Sequence, residues 1–408
     1  MSTDATIEST TNTRMKEYKF PEAVFFQEGP GLRKWQWTED GMKVINVKNI
    51  NENGSIDTNN SDRYISNDEF SERYTHFAIE ANDILVAGSG NTYGKIGRIR
   101  SDQLPVMMNT SVIRFHSLDK DLLDDEYLYA FLRSPLFKNQ IERYVTGSAQ
   151  PNFGPSHIKQ MVIPIPELNK QKTIGNVISN YDNLIENNNR RIAILEDMAQ
   201  SLYREWFVKF RYLGYQDNLD ADGSLKLVDS PLGQIPEGWE VKRLDDFVTL
   251  QRGFDLPKKK RNEKGCVPIY AASGINGYHD QVKAKGPGIV TGRSGTLGIV
   301  NLVLEDHWPL NTSLWVKEFK GCTAFYAYYV LDSIGLERFN SGASVPTLNR
   351  NDVHGNPVIA PPKELIKKFE NIVCVNHKQI NVLKRKNENL KKQRAMLLPR
   401  LISGDIEL

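Results

Sequence analysis

The sequence repeats itself, and no other feature limits its folding more. Thr146-Gly147-Ser148-Ala149-Gln150-Pro151 returns as Asn340-Ser341-Gly342-Ala343-Ser344-Val345-Pro346, with Gly147 and Gly342 standing 195 residues apart. Asn109-Thr110-Ser111 returns as Asn311-Thr312-Ser313 at an offset of 202. Ahead of each triplet lies a glycine-punctuated apolar stretch, Gly88 to Gly97 and Thr291 to Gly298, which reads as strand, tight loop, strand. Behind it comes a strand-like run closed by prolines, Val162 to Pro166 and Val358 to Pro362. One short match is chance, but an ordered series of four is duplication, so the chain builds one module twice.

Each proline exit leads into a heptad-patterned helix. In the first, Ile174, Ile178, Tyr181, Ile185, Asn188, Ile192, Leu195, Ala199, Leu202 and Trp206 follow alternating four- and three-residue steps. Phe369, Val373, Asn376, Ile380, Leu383, Asn387, Leu390, Arg394 and Leu397 repeat those steps in the second, again at an offset of 195. Each seam holds an asparagine, Asn188 and Asn387, of the kind that fixes register at some cost in stability. Residues 174 to 206 would span about 50 Å, longer than a small domain is wide. We therefore expect the helices to pair with each other, antiparallel, as a ruler between modules. The other reading is two surface helices, each packed on its own module.

The expected organisation is a polar N-terminal tip at 1–14, module one at 15–166, helix one at 167–210 and a linker at 211–235. Module two comes next at 236–362, then helix two at 363–400 and a tail at 401–408. Each module is mixed α/β with many short strands. At 408 residues the chain exceeds one ordinary core. Cys266, Cys322 and Cys374 form no C-x-x-C pair, so neither a disulfide framework nor a zinc site is encoded. With no long apolar run, the chain reads as cytoplasmic, without a membrane segment.

Catalytic signatures are missing throughout. Gly88 to Lys95 invites a phosphate-loop reading, but Gly88 and Gly94 enclose five residues and Ile96 stands where a magnesium-binding hydroxyl is needed. The seven histidines never pair at i, i+4, and no H-E-x-x-H, G-x-S-x-G or amino-methyltransferase tetrapeptide occurs. No metal ligand, catalytic residue or cofactor is therefore expected.

Local charge points to nucleic acid although the net charge is only +2. Arg252 precedes Lys258-Lys259-Lys260-Arg261, a cluster suited to a phosphate backbone or equally to a solvated loop. Residues 363–400 carry eleven Lys/Arg against three acids, whereas 167–210 balance six against six. Polar residues on the glycine loops are candidates to enter a groove: Ser89, Asn91, Thr92 and Lys95 in module one, Arg293, Ser294 and Thr296 in module two. A glycine loop is more often only a plain hairpin.

These features together resemble the specificity subunits of type I restriction–modification systems. The resemblance rests on Pro236-Glu237-Gly238-Trp239 with Leu244, Gly147 to Asn152 before Val162 to Pro166, Pro166-Glu167-Leu168-Asn169-Lys170-Gln171, and the ending Leu397-Leu398-Pro399-Arg400-Leu401-Ile402-Ser403-Gly404-Asp405-Ile406. It covers residues 20 to 408. Module one lacks the P-x-G-W opening, and Pro362-Lys363-Glu364-Leu365 lacks the expected glutamine. The resemblance implies an α+β chain of two tandem target-recognition domains, each followed by a spacer helix. It implies a non-catalytic subunit that binds double-stranded DNA with two methyltransferase subunits and restriction subunits, which hold S-adenosylmethionine, ATP and Mg. A standalone DNA methyltransferase or nuclease, and a coiled-coil adaptor that binds no DNA, are the other readings.

Overall fold

In the computed structural model, which describes residues 15–59, 61, 63–90, 93–145 and 152–406, the chain divides into two compact units. Unit 1 comprises Met1–Glu186 and Glu388–Leu408, and unit 2 comprises Asn187–Asn387. The expected tip at 1–14 and the repeat segment Thr146 to Pro151 lie outside the described residues.

Unit 1 contains β1 (Lys16–Lys19), β2 (Val24–Glu28), β3 (Met42–Ile45), β4 (Tyr64–Ile65), β5 (Ile84–Ala87), β6 (Ile96–Arg98), β7 (Met107–Met108), β8 (Val112–Ser117) and β9 (Val162–Ile165). Unit 2 contains a hairpin, β10 (Leu227–Ser230) and β11 (Gly233–Pro236). After it come β12 (Glu240–Arg243), β13 (Val248–Arg252), β14 (Val267–Ala271), β15 (Gly274–His279), β16 (Gly288–Gly292), β17 (Val300–Val303), β18 (Trp308–Pro309), β19 (Ser313–Phe319) and β20 (Pro357–Ala360). The repeat is reproduced strand for strand. Unit 1 has sheets ordered β2-β8-β5-β6 and β4-β3-β7 and a pair β1-β9; unit 2 has β13-β19-β16-β17, β15-β14-β18 and β12-β20. Even the parallel pairs correspond, β3 with β7 and β14 with β18.

Burial explains these strands. β5 is an uninterrupted apolar run, Ile84-Leu85-Val86-Ala87, buried at every position between β8 and β6. The helix α1 (Asp125–Leu132) covers that sheet with Tyr127, Leu128 and Phe131, started by the Asp124 carboxylate, which accepts from the backbone N–H of Glu126 and Tyr127. A long helix, α2 (Leu168–Tyr203), comes after β9. In unit 2 the counterparts are α3 (Ala324–Ile334), capped by the Thr323 hydroxyl, and α4 (Lys363–Ser403).

The long helices meet antiparallel inside each unit. In unit 2, Ile192 and Leu195 of α2 pack with Ile380 and Leu383 of α4. Asn188 Nδ2 donates to Asn387 Oδ1 at 2.8 Å, and Asn387 Nδ2 donates to Asn189 Oδ1 at 2.8 Å. In unit 1 the Asp182 carboxylate accepts from both Arg133 and Arg394. Ile185 is likewise buried, and Leu390 is half-buried.

Three expectations need correction. The seam is not helix-on-helix from end to end: Ile178 and Leu397 join the core of unit 1, and Leu202 and Val373 join that of unit 2, because the helix ends are built into the modules. Helix two runs to Ser403, and the segment expected to be a tail buries Leu401 and Ile402, which continue the three- and four-residue spacing. The expected linker holds β10, β11 and the 3-10 turn Tyr215–Asn218, with Ile235 buried in the core of unit 2.

Buried polar anchors hold each helix to its module. Gln171, 1% exposed, donates through Nε2 to the Leu122 and Pro166 carbonyls and accepts from the Asp124 N–H at 2.8 Å. Glu370 does the corresponding work in unit 2, accepting from the Thr323 N–H and hydroxyl, each at 2.6 Å. The glutamine missing from the second helix start is thus replaced by a carboxylate about one turn further along, at the same kind of site: the N-cap of the covering helix.

Candidate nucleic-acid interface

The ends of β2 and β5 meet the start of β8, as those of β13 and β16 meet the start of β19, and the two modules carry different side chains there. There the backbone traces the same path. The Phe153 N–H donates to the Gly88 carbonyl at 2.9 Å, and the Leu348 N–H donates to the Arg293 carbonyl at 2.8 Å. Ser89 bridges Asn152, and Ser294 bridges Thr347. Glu28 ends β2 before Gly29, and Arg252 ends β13 before Gly253. At either glycine a Cβ would lie 2.1 Å from a backbone oxygen, of Asn109 or of Leu310, so only glycine lets the strands approach this closely. A short helix then opens with Pro155 in unit 1 and Arg350 in unit 2.

In unit 2 the strand ends line two adjoining clefts, the larger about 570 Å³, that share Arg252 and Arg350. Arg293 lines the second, and its Nη1 donates to the Asn311 carbonyl at 3.3 Å. Arg252 and Arg350 are exposed and make no ion pair among the described residues. The His354 Nε2 accepts from the Leu250 N–H at 2.8 Å and so pins the short helix to β13. Burial holds that imidazole below its ordinary pKa, which keeps it neutral and able to accept. Arg350 escaped the sequence reading because nothing local marks it; only the fold brings it beside Arg252.

The remaining candidates have varied surroundings. Lys258, Lys259 and Lys260 form one exposed 3-10 turn after Pro257. Arg261 is committed to the β14–β15 hairpin, its Nη1 donating to the Asn276 carbonyl at 2.7 Å and to Asn276 Oδ1 at 2.9 Å. Thr296 is exposed, on a loop folded so tightly on Gly292 that a Cβ there would meet the Thr296 oxygen at 1.8 Å. In unit 1, Lys95 Nζ lies 3.2 Å from Glu52. Asn91 and Thr92 lie outside the described residues. No helix among the described residues is long and apolar enough to cross a membrane.

Comparison with known proteins agrees with this architecture. The family described as "Type I restriction modification DNA specificity domain" matches residues 24–197 and again 236–392. The MjaIX type I restriction enzyme specificity subunit of Methanocaldococcus jannaschii is 27% identical over 330 residues, 71% of each chain. The StySPI specificity subunit of Salmonella potsdam is 25% identical over 166 residues, 41% of this chain and 34% of that protein. In fold, the crystal structure of a type I restriction–modification S subunit from M. genitalium aligns with a TM-score of 0.65 at 19% identity, covering 96% of this chain and 97% of that one.

Proposed function

The chain belongs to the family of type I restriction–modification DNA specificity subunits, and on that premise we propose that it is the sequence-reading member of a larger complex, each unit reading one half of a split, asymmetric double-stranded DNA target. One observation supports this above the rest: a single sheet order, built twice, carries different side chains at matching strand ends. Identical scaffolds with unlike readers suit a target whose halves differ.

In this reading the chain does no bond-breaking chemistry and works in the cytoplasm. Two methyltransferase subunits bind S-adenosylmethionine and methylate adenine, and restriction subunits use ATP and Mg to translocate and cleave. The paired helices set the unread gap. Apolar residues left exposed on them, Ile194 and Met198 of α2 with Val375 and Val382 of α4, support docking of a partner there.

The test is to co-express the chain with its methyltransferase subunits and map methylated adenines. A bipartite target with unlike halves is expected, and a continuous or symmetric target would overturn the proposal. The adaptor reading requires that the complex show no salt-dependent DNA affinity. The standalone-enzyme reading requires that the chain by itself bind S-adenosylmethionine.

A further inference from the structure

The strand ends of unit 2 carry three guanidinium groups where unit 1 carries none. Arg252 stands where Glu28 ends β2, Arg293 where Gly88 leaves β5, and Arg350 where Pro155 opens the short helix. We infer that Arg252, Arg293 and Arg350 form a guanine-reading cluster, so that the half-site read by unit 2 contains G·C pairs facing these clefts and unit 1 reads its half without such contacts. This rests on the DNA-reading function proposed above.

The guanidinium group itself decides what such a cleft can recognise. Its flat fork of N–H donors matches the paired O6 and N7 acceptors that guanine presents in the major groove. The sugar–phosphate backbone asks only for positive charge, which the exposed turn Lys258–Lys260 already offers. The arginines instead line concave clefts among neutral hydrogen-bonding groups, Gln251 and Asn349. Arg293 is half-buried and steadied by its bond to the Asn311 carbonyl, so less side-chain freedom is lost on docking. The one carboxylate lining these clefts, Asp255, accepts from Asn311 Nδ2 at 2.7 Å. In unit 1, Glu28 accepts from the Ser111 N–H at 3.2 Å, and a carboxylate there offers guanine O6 and N7 no donor.

The experiment uses the complex of the full chain with its methyltransferase subunits, assayed on a randomised DNA library. Wild type should methylate a split target, and Arg293→Ala and Arg350→Ala should each relax one G·C position in the same half by about 5- to 100-fold, leaving the other half unchanged. Arg350→Lys keeps the charge but loses the fork, so it should relax the same position as Arg350→Ala while retaining overall affinity. Loss of discrimination at an A·T position overturns the inference. So does uniform weakening on all sequences that Arg350→Lys restores, which would make the contact a phosphate. In both cases a wild-type split target leaves the proposed function standing. If wild type methylates no split target, the function itself fails and this inference with it.

Discussion

Asn188 of the first long helix donates its carboxamide N–H to the Asn387 carboxamide of the second at 2.8 Å, and Asn387 passes the bond on to Asn189. Asn387 is 3% exposed and stands one seam step from Leu383, which packs with Ile192. Such a pair fixes register because every slipped alignment strands a buried carboxamide. Asn387→Leu should cost about 1–3 kcal/mol, while Asn188→Leu and Asn387→Leu together should cost less than the two single changes summed. Thermal unfolding of the four variants of this cycle measures the coupling. No coupling energy would mean that the bond does not set the register.

The ruler role of the helices predicts a specific change in target. Four residues inserted after Asn188, with four more before Asn387, add about 6 Å to each helix and close to one turn, so the helix faces beyond the insertions nearly keep their orientation. Methylome mapping should return the same two half-sequences with a longer gap. Altered half-sequences with the old gap would exclude the helices as the ruler.

Gln171 makes three hydrogen bonds from a site that is 1% exposed. Gln171→Ala should orphan the Asp124 N–H and two carbonyls and cost about 2–4 kcal/mol, read as a lowered Tm. Glu370→Gln should cost less, since its amide oxygen can still accept from the Thr323 N–H.

A pH dependence is built into unit 2. His377 Nε2 lies 2.7 Å from the Tyr329 hydroxyl, and burial pushes the imidazole down from 6.5 to about 4. Between those values the unfolded chain binds a proton that the folded chain refuses. Stability is therefore full above pH 6.5 and falls as the pH drops toward 4. Allowing for partial exposure, the loss is on the order of 2 kcal/mol. Tm measured at pH 7.5 and pH 5 should fall, and His377→Gln should flatten that fall.

Replacing Lys258, Lys259 and Lys260 with alanine should weaken binding to every sequence and reduce the salt slope by up to about 0.9 per lysine in contact with phosphate. Affinity of the complex measured from 50 to 200 mM salt tests this. An unchanged slope would show that the turn stays in solvent.

The sequence by itself determined the duplication and the strands and heptad helices inside it, because these are written in local periodicity. Val162 to Pro166 and Val358 to Pro362 read as strands from short apolar runs closed by prolines, and a seam stepping by four and three residues requires an apolar partner. The tertiary structure decided what meets what. Arg252, Arg293 and Arg350 share a cleft because β13 pairs with β19 and β19 with β16, while the Leu348 N–H bonds back to Arg293. Arg261 looked like part of a basic cluster until the β14–β15 hairpin placed Asn276 against it. Leu398, Leu401 and Ile402 complete a core begun by Phe20, more than 370 residues earlier in the chain. Periodicity fixes which side of a helix must be buried, but the partner is chosen by long-range pairing, which no local pattern encodes.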